Sequence, residues 1–356
     1  MRLLGLLLWL AGAGFALLAA GLVAAVLWAS TPAALPQTLR WGQDWLTDPA
    51  TGTSPLQVEG ARGSLTGGGR IAALRWQKDG LTVDIDGLTL AWEPSLWLAV
   101  LLDRSLTIER LAAQHVRVQD ERPPSPDDTP LEPPQRLTLP WLRAITLPLQ
   151  VERFTFTGPV ALEGGPLVAH YRYGPQNDVP THHLRIDELR WADGRYTAQA
   201  ALLALQPMTL DVRLHATIET PPTPEVPAQT LRLEASVQGD LGGVEALLRV
   251  QADVQPAPAS PSPPSSWAPE LRLQAIVRPW NDMPLERADL RLQDINVAQF
   301  WPQGPRSRLS GQWQAVHLET QAPEATAWRW QLQGQLRNAM AQPWNEIGRA
   351  SCRERV

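Results

Sequence analysis

In the stretch GLTVDIDGLTLAW, Gly80 to Trp92, apolar Leu81, Val83 and Ile85 alternate with Thr82, Asp84 and Asp86. After Gly87 the alternation resumes one step out of phase, with Leu88, Leu90 and Trp92 apolar. A period of two is that of a strand with one greasy and one wet face. The slip at Gly87 reads as a bulge or tight turn that lets a sheet curve. Asp84 and Asp86 then lie on the solvated side of a strand and are not an acid pair.

The same period returns along the chain, in Leu210–Ile218, Leu231–Val237, Val244–Val254 and Leu271–Val277. Further runs are Val151–Thr157, Leu184–Trp191, Ala288–Val297 and Trp328–Leu336. Many short strands between turn signals predict an all-β architecture. One short helix is expected near 95–102, where Ser95 precedes LWLAVLL. A loose echo of Leu two residues before Trp, at Leu90/Trp92 and Leu189/Trp191, suggests one supersecondary unit stacked repeatedly.

Of the 34 prolines, many fall in three stretches, 122–134, 220–227 and 255–264. Proline removes a ladder donor and fixes φ, so each must leave the sheet. The first and third read as linkers, and the second is short enough for a hairpin loop.

Twenty-six residues without a charge, Leu3 to Trp28, begin the chain, and the next charged side chain is Arg40. About 20 such residues cross a bilayer as a helix. The apolar part of a cleavable signal is shorter, about 7 to 15 residues, so the run reads as an uncleaved anchor. Arg2 on its short side predicts a cytoplasmic N-terminus, with everything beyond residue 30 exported to the periplasm. The only cysteine is Cys352, inside the tail EIGRASCRERV, which breaks the alternation. The tail, 345–356, reads as non-native sequence at the end of a truncated frame, since a lone thiol is a liability in an oxidising compartment.

The net charge of −5 argues against nucleic acid, which calls for a basic patch. Catalytic chemistry is hard to find. GSLTGGGR, Gly63 to Arg70, has no following lysine and opens no helix, so it is no phosphate loop. There is no GxSxG elbow. His115, His170, His182, His183, His215 and His317 show no ligand spacing. No catalytic, metal-binding or cofactor-binding residue is expected.

The order of these parts is what carries a resemblance. An anchor is followed by VEGARGSLTGGGRIAALRW and then by GLTVDIDGLTLAWEPSLWLAVLLDRSLTIERLAAQHVRVQ. Later come VQGDLGGVEALLRVQADV and VRPWNDMPLERADLRLQDINVAQFWPQGPRSRLSGQW. Together they resemble the TamB family, inner-membrane subunits of the translocation and assembly module within the AsmA-like group, over residues 1 to 344. The resemblance implies an elongated, half-open, taco-like stack of strands with an apolar groove, carrying phospholipid from the inner towards the outer membrane. It implies the outer-membrane barrel TamA as partner. TamB chains are far longer, so the segment here is the membrane-proximal part.

On this reading the chain divides into an anchor (1–30), a β segment with the short helix (31–121), a linker (122–134), a β segment (135–254), a Pro-rich loop (255–264), a β segment (265–344) and the tail. The expected groove lining is Leu81, Val83, Ile85, Leu88, Leu90, Trp92, Leu210, Val212, Leu214, Leu231 and Leu233. Periodicity alone leaves other answers open. A β-sandwich would close the same apolar face with protein, an open sheet end would template strands of outer-membrane proteins, and an exported hydrolase with an irregular site would show perturbed carboxylates. The anchor and the resemblance favour the groove.

Overall fold

The structure, a computed structural model, describes residues 25–48, 52–122, 133–158, 161–222, 228–258, 268–281, 283–300, 306–318 and 329–340. The expected span at 3–28 lies outside these residues except for its end, and residues 25–29 are helical. Among the described residues no helix is long and apolar enough to cross a membrane. The tail, 345–356, also lies outside them. The chain forms two units, Met1–Pro124 with Trp141–Pro166, and Ser125–Pro140 with Leu167–Val356.

The first unit opens with a helix that the alternation does not announce, α1 (Ala34–Leu46). Pro36 sits in its first turn, where a missing N–H costs nothing. Leu35, Leu39 and Leu46 recur at helical spacing on one stripe. Ala34 and Leu35 are buried and Leu39 packs onto the sheet core, so α1 supplies cover for the apolar face.

After it come β1 (Leu56–Glu59), β2 (Arg62–Ser64), β3 (Gly68–Lys78) and β4 (Leu81–Ala91). The expected short helix is α2 (Leu96–Leu98), continued by a π-helical turn (Ala99–Asp103) and ended by Arg104 at φ 55°. Then follow β5 (Ser105–Thr107), β6 (Arg110–Asp120) and β7 (Ala144–Thr157). β1, β2 and β4 pair antiparallel with β3, and β6 pairs antiparallel with β4. β7 runs parallel to β5 and β6. Parallel neighbours cannot be joined by a tight turn, and the connection from β6 to β7 contains the first Pro-rich stretch.

β8 (Leu162–Gln176) leads into the second unit, which continues with β9 (Val179–Trp191), β10 (Gly194–Leu203), β11 (Thr209–Thr220), β12 (Gln229–Asp240) and β13 (Leu247–Pro256). It ends with β14 (Glu270–Val277), β15 (Leu285–Ile295), a short α3 (Val297–Phe300), β16 (Leu309–Leu318) and β17 (Arg329–Asn338). From β9 to β17 each strand pairs antiparallel with the next. This is an antiparallel meander. The second and third Pro-rich stretches lie in the connections β11–β12 and β13–β14, each between ladder neighbours.

The reading of Gly87 changes. β4 runs through it, and its pairings Ile71↔Leu88 and Ala73↔Asp86 on one side, Asp86↔His115 and Thr89↔Ala112 on the other, keep one register. It is neither a turn nor a register-shifting bulge. Gly87 has φ 64°, and a Cβ there would come within 2.6 Å of the Gln114 side chain. Asp84 also departs from expectation: it is buried, because the Arg75 guanidinium of the neighbouring strand lies over it at 2.6 Å.

Candidate functional site: a continuous apolar face

In the second unit the registers align apolar residues into rows perpendicular to the strands. One row runs Leu184, Ala200, Val212, Val237, Val250, Ala275, Ala288, Ala315, Leu332 across β9 to β17. A second runs Ile186, Ala198, Leu214, Ala235, Ala252, Leu273, Leu290, Trp313, Gly334. A third runs Leu189, Tyr196, Ala216, Leu233, Val254, Leu271, Leu292, Gly311, Leu336. No polar side chain interrupts any of them. Nine strands spaced at about 4.8 Å make this face roughly 40 Å long.

The intervening positions are as uniformly polar. The row beginning Gln199, Arg213, Ser236, Gln251 continues through Gln274, Asp289, Gln314 and Gln333. Ion pairs such as Arg232–Glu234, Arg272–Asp253 (2.9 Å) and Arg287–Asp289 (2.8 Å) lace the wet face. Period two therefore holds strand by strand and in phase across the sheet.

Cover is heaviest towards the ends of the strands, and Tyr196 and Ala216 of the third row are buried as well. Leu231 is fully buried, near Thr220, whose Oγ1 accepts a hydrogen bond from Gln299 Nε2 at 3.4 Å. Met208, Ala246 and Leu248 close the opposite ends. Between them Val212, Leu214, Leu233, Val237, Val250 and Leu273 are only half-buried. At the flanks Leu184 is 40 %, Leu332 54 % and Leu336 46 % exposed. Among the described residues each strand from β9 to β17 has its close backbone neighbours in the ladder.

At the other margin, the 135–140 segment is held down by aromatic groups. His182 bonds Tyr171 Oη through Nδ1 (2.7 Å) and the Leu137 carbonyl through Nε2 (2.9 Å), and Tyr173 Oη accepts from Leu139 N–H. Among the described residues His183 Nε2 is buried without a hydrogen-bond partner, and burial, with help from Arg172 and His182, lowers its pKa below the usual histidine range.

The first unit repeats the pattern on a smaller scale. Val58, Leu74, Ile85, Val116 and Phe154 form one row, and Leu56, Trp76, Val83, Val118 and Phe156 another. Ile71, Leu88 and Ala113 form a buried cluster against which Leu39 of α1, Ile85 and Leu90 pack. The polar side of the same strands carries Arg75–Asp84, Arg117–Asp86 (2.9 Å) and His115–Thr155 (2.9 Å).

Each expected lining residue can now be placed. Val83 and Ile85 stand in the rows of the first unit, and Leu88 is buried with Leu90 against it. Leu81 stands between Lys78 and Asp120, beyond the apolar rows. Trp92 follows the end of β4, its indole N–H donating to the Leu65 carbonyl at 2.9 Å. Val212, Leu214 and Leu233 are central to the second unit's rows. Leu210 faces Leu202 and Gly239, and Leu231 is an end plug. β3, β6, β10 and β16, absent from the expected runs, carry more Ala, Gly and Arg, and their alternation emerges only beside their neighbours.

Among the described residues, no three metal-ligating side chains cluster. Residues 29–142 match the family model described as TamB, N-terminal domain. Over that segment, about a third of its length, the chain is similar to TamB N-terminal domains. It takes in α1, the strands β1 to β6 and the crossover towards β7, so the TamB match and the Ile71–Leu88–Ala113 cluster coincide. Among curated proteins and among solved structures nothing matches the chain.

Proposed function

We propose that the chain is an inner-membrane-anchored periplasmic protein of outer-membrane biogenesis that carries phospholipid along its apolar face, working with the barrel TamA. The observation that supports this reading is the set of three uninterrupted rows across nine strands, whose central residues Val212, Leu214, Val237 and Val250 are only half-buried. Exposed apolar patches on soluble monomers rarely exceed a few hundred Å², and a face of this extent needs an occupant. Acyl chains suit it. Alanines at 235, 252, 275 and 288 leave a trough between the leucine and valine positions of neighbouring rows.

A tail left bare in water costs about 0.8 kcal/mol per methylene, so a carrier must shield it at every step. Rows that pass from strand to strand do this without a break, while headgroups stay in water. No bond is made or broken, and the chain supplies no driving energy of its own.

A second reading has one observation behind it. β17 pairs with β16 alone among the described residues, and positions 331–337 are exposed, which offers an edge to a substrate strand. Two adjacent positions of one row separate the readings. Val237→Asp with Val250→Asp in the full chain should abolish most retention of a fluorescent phospholipid on gel filtration and leave capture of an unfolded barrel segment unchanged. Unchanged lipid retention would remove the carrier reading.

A further inference from the structure

Several large apolar side chains of the first unit lie off the sheet and open to solvent. Trp97, Leu98, Leu101 and Leu102 of α2 and its π-helical turn are 45 to 77 % exposed, and Trp141 is 55 % exposed. On α1, whose leucine stripe faces the sheet, Trp41 and Trp45 project from another side, Trp45 at 85 % exposure.

Trp41 and Trp97 are tied to the end of the N-terminal apolar run. Trp28, its last residue, stacks on Trp41 with ring centroids 5.6 Å apart and donates its indole N–H to Gln37 Oε1 at 3.3 Å. The next residue, Ala29, accepts the Leu65 N–H at 2.8 Å. The Leu65 carbonyl in turn accepts the indole N–H groups of Trp92 and Trp97. Arg143 N–H donates to the Arg104 carbonyl at 2.7 Å, which joins the Trp141 turn to the end of the α2 segment. One short relay therefore links the end of the expected bilayer span to both tryptophan-bearing surfaces.

We infer that these two surfaces sit in the headgroup layer of the bilayer from which the N-terminal segment emerges, so that the Trp92 end of β4 faces the membrane. The inference rests on the anchored reading above and adds the orientation. Its grounds are chemical and positional. Tryptophan, with an apolar body and a polar N–H, favours membrane interfaces. Leu98, Leu101 and Leu102 project where a soluble domain gains nothing by exposing them. The surface is tied within a few residues to a run that has no charge from Leu3 to Trp28.

The test is spin-label depth in the full chain, carrying Cys352→Ser and reconstituted in phosphatidylcholine vesicles. Labels at Leu98→Cys, Leu102→Cys and Trp141→Cys should show an oxygen-to-nickel-chelate accessibility ratio several-fold above labels at Gln251→Cys and Gln312→Cys on the wet face. A label at Leu17→Cys reports the span itself. If Leu17 is embedded and positions 98, 102 and 141 match the wet-face controls, the seating is wrong and the anchor stands. If Leu17 is aqueous, the anchored reading fails first.

Discussion

Ile85 and Leu88 lie three residues apart on one strand and pack against the same buried cluster. Strict alternation would put them on opposite faces. The neighbouring strands make the same three-residue step at the same level: Leu74 to Ile71 on β3, Val116 to Ala113 on β6 and Phe154 to Val151 on β7. The slip belongs to the sheet as a whole, and Gly87 at φ 64° is its left-handed element on β4.

Gly87→Ala should therefore lower stability by roughly 1–2 kcal/mol, the cost of a left-handed non-glycine residue, with more from the approach to Gln114. Gln114→Ala in the same chain should recover the second part and not the first. Urea midpoints of the two variants and the double variant measure both.

The Arg75–Asp84 pair is asymmetric, with Asp84 buried and the Arg75 side chain 53 % exposed. Removing the arginine strands a buried carboxylate, at about 1–3 kcal/mol. Asp84→Asn leaves a solvated guanidinium and should cost less than about 1 kcal/mol. Reversal of that order in chemical denaturation would mean that Asp84 is solvated after all.

Leu231 and Leu233 share a strand and a face, yet only Leu231 is fully buried. Leu231→Ala should cost about 2–5 kcal/mol. Leu233→Ala, on the uncovered stretch, should cost well under half as much. Equal costs would show a protein layer over the row.

Burial favours neutral His183, so its folded pKa lies below the ordinary 6.5. Its contribution to stability is complete above pH 6.5 and declines as pH falls towards the folded value, because the unfolded chain binds the proton first. Hydrogen-exchange protection along β9, corrected for the intrinsic rate at each pH, should fall between about pH 7.5 and 5.5, and His183→Gln should flatten that change.

Most of the strands were legible because their alternation is local. Leu231–Val237 and Leu271–Val277 need no neighbour to be read. The helix Ala34–Leu46 was not, since its leucine stripe is spread between tryptophans and polar residues and Pro36 discourages a helical reading. Burial of Asp84 was hidden for a different reason: the cover comes from Arg75 on another strand. The rows themselves are products of register. Ala235 beside Ala252, and Ala275 beside Ala288, look like weak strand positions in sequence and become parts of continuous apolar rows once paired. Trp97, Leu98 and Leu102 belong to the short helical stretch expected near 95–102, and they lie outside any core.

Photo-crosslinking along one row tests the central claim most directly. A photoactivatable residue at Val212, Val237 or Val250 of the full chain in a lipid bilayer-containing cell envelope should trap phospholipid, with Arg213, Ser236 and Gln251 on the wet face as controls. The account predicts lipid adducts at the first three positions and none at the last three. Equal labelling on both faces, or only protein adducts along the row, would contradict it.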